Sequence, residues 1–313
     1  MGLGDFDLGL TRYHSGAIQL DGLAGGLDGC NPATEAIALC SVVPSADVTI
    51  YSTAYLAKYS INENMSVFGG LTRFALEDST VTTIAGHYEV NSETANVTVY
   101  GAAYEIPDIA LRVEAVFQEE TTTPLTASSS LSPLLPTTAI TGASYTIPQT
   151  MTLNFQSGIA EDTLLFGSVH QQSWNTAQII IPGNPNGINP VTFAPDTAVS
   201  PVGSSFSDKT AYSIGVGRKI SDDLSISLSY SREDGSGPTT DDPFTLSDGS
   251  QGITIGARYS MAENMTISAG YNYTTAGDVK VIHEVAPGVP SGLTADYKDN
   301  TTSAIGVRLA ISF

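Results

Sequence analysis

Along much of the chain, apolar and polar residues alternate one for one. Met151, Leu153 and Phe155 interleave with Thr152, Asn154 and Gln156. Residues 160–163 then turn the chain, and Leu164, Leu165 and Phe166 begin a return. Successive side chains of a strand point to opposite faces, so this pattern predicts an amphipathic hairpin. The cleanest stretch is 224–232, where Leu224, Ile226, Leu228 and Tyr230 alternate with serines. The same period runs through Ile253 to Tyr259, Met265 to Tyr273 and Ile305 to Phe313. Further strands are predicted at 3–13, 48–61 (Tyr51, Tyr55 and Tyr59 on one face), 65–76, 96–106, 109–119 and 210–220. The facing of 65–76 is ambiguous around Arg73. In 109–119, Leu111, Val113, Ala115 and Phe117 oppose Arg112, Glu114 and Gln118.

Short turns at 61–64, 106–109, 160–163, 220–224 and 261–265 alternate with long polar segments at 14–45, 78–93, 120–148, 182–207, 234–249 and 277–299. Sorting of short connections to one side and long ones to the other is expected of a transmembrane β-barrel. The reading is therefore all-β: one antiparallel transmembrane barrel over 1–313 with about twelve strands, an even count. Short turns would lie at the periplasmic rim and long loops outside the cell. No run of about 18 apolar residues is present to make a membrane helix.

Composition agrees: hydrophobic residues make up 41% but charged ones only 14%, well under the roughly 25% of soluble domains. Hydroxyl and amide residues are expected to build the polar face. Twelve Lys and Arg against 32 Asp and Glu give a net charge of −20, which argues against nucleic acid as a partner. Acidic loops could bridge to lipopolysaccharide through divalent cations, or form a merely solvated surface. His14, His87, His170 and His283 show no metal-ligand spacing. The chain also lacks a nucleophile elbow, P-loop or dinucleotide fingerprint. No enzyme activity and no cofactor are expected.

Cys30 and Cys40 could close a small disulfide loop within 14–45, worth roughly 3 kcal/mol on the loop-entropy model, or remain free thiols. Arg112, Arg258 and Arg308 are expected to face inward, where each could pair with the carboxylate of a ligand or with lumen acids such as Glu114. Tyr51, Tyr55, Tyr59, Tyr259, Tyr271 and Trp174 read as interfacial girdle residues, or in part as the lining of a ligand groove. The opening Met1-Gly-Leu-Gly-Asp-Phe-Asp carries no signal-peptide pattern, so a mature or truncated form is expected.

The stretches TLNFQSGIAEDTLLFGSV (152–169), Gln172 to Trp174, YSIGVGRKISDDLSISLSY (212–230) and AIGVRLAISF (304–313) resemble the FadL/TodX family of outer-membrane transporters. INENMSVFGGL (61–71) and EIPDIALRVE (105–114) fit its earlier hairpins. The resemblance spans about residues 46–313. It implies passive uptake of long-chain fatty acids or other hydrophobic compounds, through a fourteen-stranded barrel plugged by an N-terminal hatch and open laterally to the bilayer. Against that pattern the chain reads as twelve strands with no clear hatch. Asn31-Pro32-Ala33, the tripeptide the hatch would carry, falls between the two cysteines. Expected partners are a hydrophobic ligand, outer-membrane lipid and lipopolysaccharide, and the barrel-assembly machinery reading the terminal strand that ends in Phe313. A general diffusion porin for hydrophilic solutes and a surface-binding barrel are the alternative functions.

Overall fold

The computed structural model describes residues 2–3, 5–22, 44–83, 86–130, 137–174, 179–181, 202–203, 206–242, 244–286 and 289–311. Twelve long strands form its wall: β1 (Phe6–Leu20), β2 (Ser45–Ser60), β3 (Met65–Leu76), β4 (Glu93–Ile106), β5 (Leu111–Gln118), β6 (Gln149–Ala160), β7 (Thr163–Ser173), β8 (Lys209–Lys219), β9 (Leu224–Glu233), β10 (Ser250–Ala262), β11 (Met265–Ala276) and β12 (Thr301–Ile311). Each pairs antiparallel with the next in sequence. Among the described residues no ladder joins β12 to β1, and both strands are largely exposed. The sheet curls tightly enough that Ser15 to Ile18 of β1, Gln172 of β7 and Trp174 just after it line one cavity.

Register fixes which face each residue takes. Ala115, Leu153, Val169 and Tyr212 lie side by side across four strands. Tyr55 lies between Leu10 and Leu71 in the same way. The exposed large apolar side chains of the wall, from Phe6, Leu8 and Leu10 round to Ile305, Val307 and Leu309, fall almost all on this outer face. A soluble monomer rarely exposes a continuous apolar surface of that extent, whereas a lipid-facing barrel requires one. Met65, Val67 and Leu71 point outward, and Arg73 points the same way from the rim of the band. That settles the facing of β3.

Polar groups close the short turns. Asn62 Oδ1 accepts from the backbone N–H of Asn64 and Met65 at 2.9 and 2.8 Å, an Asx turn that reverses β2 into β3. Ser221 Oγ accepts from Leu224 N at 3.1 Å between β8 and β9. Asp162 takes φ 57° between β6 and β7, a left-handed conformation that Asp tolerates better than most residues.

The inner face has two characters, which corrects the expectation of a uniformly polar lumen. Along β6 to β11 it is built mainly from hydroxyls, amides and glycines, with Ser168 bonded to Ser213 at 2.8 Å and Thr152 to His170 at 2.7 Å. On β2 to β4 it carries a buried apolar patch, with Val48, Ala54, Ala95, Val97 and Val99 turned inward beside the buried hydroxyls of Ser52 and Thr72.

The long segments at the other end are also structured. Residues 78–93, expected as loop, form the hairpin Ser79–Thr83 and Gly86–Val90. The described parts of segment 120–148 fold into short strands, placing Leu125, Ala127, Ile140 and Ala143 against Ala46, Val48, Leu76, Val81 and Tyr88. Val279–Ala286 and Val289–Tyr297 make a further hairpin. The first strand, expected at 3–13, runs to Leu20, and β2 begins at Ser45. The connection expected at 14–45 is therefore 21–44. Cys30, Cys40, Asn31-Pro32-Ala33 and Phe313 lie outside the described residues.

Candidate functional site

The apolar half of the lumen and the infolded segment 120–148 enclose a cavity of about 290 Å³. Its walls come from the inward face of three consecutive strands, with Ile18 of β1, Val48 and Ile50 of β2, and Phe74 of β3. Tyr145, Ile147 and Pro148 close it from the segment leading into β6. Trp174, just beyond β7, and Phe206, just before β8, meet at its edge with ring centroids 5.3 Å apart and planes at 66°. This edge-to-face contact is the arrangement aromatic quadrupoles favour.

The polar groups around the cavity are amides and hydroxyls, and several are engaged. Gln118 Nε2 donates to the Pro148 carbonyl at 3.2 Å, and the Trp174 indole N–H donates to Gln172 Oε1 at 3.2 Å. No Asp, Glu, Lys or Arg is among the described lining residues. Burial pushes the Tyr145 phenol up to about 12, so the surroundings disfavour an anion. Such a space binds through apolar contact, at roughly 25 cal/mol per Å² of apolar surface removed from water. It can orient a ligand with an amide edge.

The cavity reaches the wall where β1 is irregular. The register against β2 slips between His14 and Gly16, leaving Ser15 as an extra residue. Ser15 and Gly16 both line the cavity. A bulge of this kind interrupts the ladder locally and bends the strand.

The expected arginines lie elsewhere. Arg112 is inward, but its Nη1 donates to Glu105 and its Nη2 to Glu114, while Asn154 Nδ2 donates to the second oxygen of Glu114 at 3.1 Å. The guanidinium is thus consumed by lumen carboxylates. Arg258 and Arg308 flank Ser268 in register, both inward and exposed. Arg258 borders a wider opening of about 950 Å³ at the short-turn end. None of the three borders the aromatic cavity.

Trp174, read mainly as a girdle residue, is a cavity residue. Tyr145, Ile147 and Phe206 were not singled out in the sequence. Their signal is slight: isolated apolar residues within Ser/Thr/Pro-rich text.

The chain folds as a transmembrane antiparallel β-barrel. No protein-family model matches it, and no curated protein matches its sequence. Among solved structures it is similar to a Pseudomonas aeruginosa FadL homologue (TM-score 0.67, 12% identity, covering 97% of this chain and 74% of the other). It is also similar to the Pseudomonas putida toluene transporter TodX (TM-score 0.59, 11% identity, 100% and 80% covered) and the Ralstonia pickettii toluene transporter TbuX (TM-score 0.57, 10% identity, 99% and 79% covered). At these identities the likeness is one of fold, and it is the fold that the FadL/TodX resemblance led one to expect.

Proposed function

We propose that the chain is an outer-membrane barrel that carries hydrophobic small molecules passively, taking uncharged ligands in preference to carboxylates. The observation that carries this is the aromatic cavity, whose described lining residues include none that is charged, set inside a barrel of the FadL/TodX fold. A long-chain fatty acid fits less well. Its carboxylate would find no cation among the described lining residues, since Arg112 is held by two glutamates and Arg258 and Arg308 stand elsewhere. The names of the two toluene transporters accord with an uncharged ligand. In this reading the long segments face the exterior and the short turns the periplasm. Ligand enters beneath the infolded segment and leaves toward the bilayer beside the bulge at Ser15, without catalysis or an energy source.

The test is uptake by cells in which this barrel replaces the resident transporter. Labelled toluene should accumulate faster than in cells with an empty vector, and labelled oleate should gain less. A well-inserted barrel that accelerates neither would sink the proposal. Large, stable conductance in planar bilayers, together with no gain in toluene uptake, would support the diffusion-porin reading instead.

A further inference from the structure

The outer wall sorts its charges in a way that transport does not require. On the twelve strands, Asp7, Glu93, Glu105, Glu114 and Glu233 all take inward register positions. Outward positions are held by Arg12, Arg73, Arg218 and Arg232, with Asp47 the one acid among the described strand residues, high on β2. In a chain with 32 acids and 12 Lys and Arg, the lipid-facing wall is cationic.

Two of these arginines form a pair. Arg12, Thr53 and Arg73 lie side by side across β1, β2 and β3. Two strand spacings separate the arginine backbones, roughly 10 Å, so their long side chains can converge on one anionic group or take one each. Directly below them lie Leu10, Tyr55 and Leu71, the top of the apolar band. From Met65 at the bottom of that band to Arg73 is eight residues, which at ordinary rise and tilt is roughly 20 Å of height, close to the thickness of a barrel's lipid belt.

The pair therefore sits where hydrocarbon gives way to headgroups, at the long-loop end. The Arg12 guanidinium lies over the Tyr51 ring, 5.3 Å from its centroid, which holds it against the wall at that height. Arg232, at a similar height, is 3.7 Å from Asp234. Arg12 and Arg73 have no carboxylate within 4.0 Å among the described residues.

We propose that Arg12 and Arg73 form a docking site on the outer wall for the phosphates of lipid A in the surrounding leaflet. The lipid's acyl chains pack on the apolar rows below, while the guanidiniums give charge-assisted hydrogen bonds to phosphate oxygens. This rests on the outer-membrane placement proposed above. It differs from cation bridging by acidic loops, because the protein supplies the positive charge itself.

The test measures binding of bisphosphorylated lipid A and of its dephosphorylated form to the detergent-solubilised chain, by native mass spectrometry in EDTA. Wild type should prefer the phosphorylated lipid. The double variant R12Q/R73Q should bind it roughly tenfold to thirtyfold more weakly, since each basic residue near an anionic headgroup contributes a few-fold, and should lose most of the preference. Inorganic phosphate at millimolar concentration should compete poorly, because it lacks the acyl contacts. Equal affinity for the two lipids, an unaltered double variant or abolition of binding by EDTA would each overturn the inference. Heat-modifiable mobility on gels checks folding. Should the double variant not fold, R73Q alone is expected to show a threefold to fivefold loss, and its absence would count against the site. Specific lipid A binding in a chain that fails the uptake assay would leave this site standing and remove only the transport reading.

Discussion

Trp174 and Phe206 meet edge to face across the mouth of the aromatic cavity, their ring centroids 5.3 Å apart. One residue follows β7 and the other precedes β8, so the contact ties together the loop-side ends of two neighbouring strands that a long segment of chain separates. Trp174 is also the chain's only tryptophan. Its fluorescence therefore reports on the cavity alone. Toluene added to the solubilised protein should shift or quench the emission in a saturable manner, and a brominated analogue should quench it more. Phe206→Ala should weaken the effect several-fold by removing part of the apolar wall. A signal indifferent to ligand would dissociate the cavity from binding.

Arg112 is structural on this geometry. Arg112→Ala leaves Glu105 and Glu114, diagonal neighbours on adjacent strands, without their shared cation. Breaking a partly exposed pair of this kind costs about 1–2 kcal/mol after allowance for solvent screening. A lower urea midpoint with unchanged ligand affinity is the expected outcome. Weakened binding with unchanged stability would return Arg112 to the ligand.

Gly101 on β4 permits a close contact inside the wall. A Cβ there would fall 2.3 Å from the Ala115 carbonyl oxygen and 2.4 Å from Cζ of Phe68, whose ring covers the glycine from β3. Gly101→Val should cost about 1–3 kcal/mol through overpacking. It should be visible as lost heat-modifiable mobility, whereas Gly306→Ala on β12, with nothing within 4 Å of its Cβ position, should fold normally.

The hairpin at 79–90 should respond to acid. Burial holds the His87 imidazole below its ordinary value, and the opposing pull of Glu89, 3.8 Å away, is smaller. Nδ1 of His87 is paired with Thr82 Oγ1 at 2.9 Å. A base whose folded pKa is depressed is neutral in the fold, so the unfolded hairpin takes up its proton first as pH falls. Its contribution is complete above about 6.5 and is lost as pH drops through the lower folded value. Proteolytic cutting within 79–90 should rise between pH 7 and pH 5. His87→Gln should flatten that rise, and a rise of the same size in both proteins would assign it to another group.

Much of the wall was legible because lipid on one side imposes a strict period. Leu224, Ile226, Leu228 and Tyr230 have one outward course and serines the other, and the structure keeps both. Legibility ended where the period broke or the neighbours were remote. Ser15 is an extra residue, so His14 and Gly16 face opposite ways and the alternation of β1 loses phase before its true end at Leu20. Arg73 obscured its strand because a charge at the rim of the band looks like a lumen charge in one dimension. The Glu105–Arg112 pair forms across the turn at Pro107–Ile109 and needs the register to be seen. The cavity was hidden more completely, since Ile18, Phe74, Tyr145 and Trp174 come together only when the sheet has curled.

In this wall every strand bonds to its neighbours in chain order, the first and last to one each, and none inserts between earlier ones. A sheet so wound can gain or lose a hairpin at either margin without rethreading. Circumference is then an adjustable quantity, open to change by duplication or deletion of one two-strand module. The aromatic cavity lies against the first margin, so an altered module count would resize the compartment and leave the chemistry of its far wall as it was.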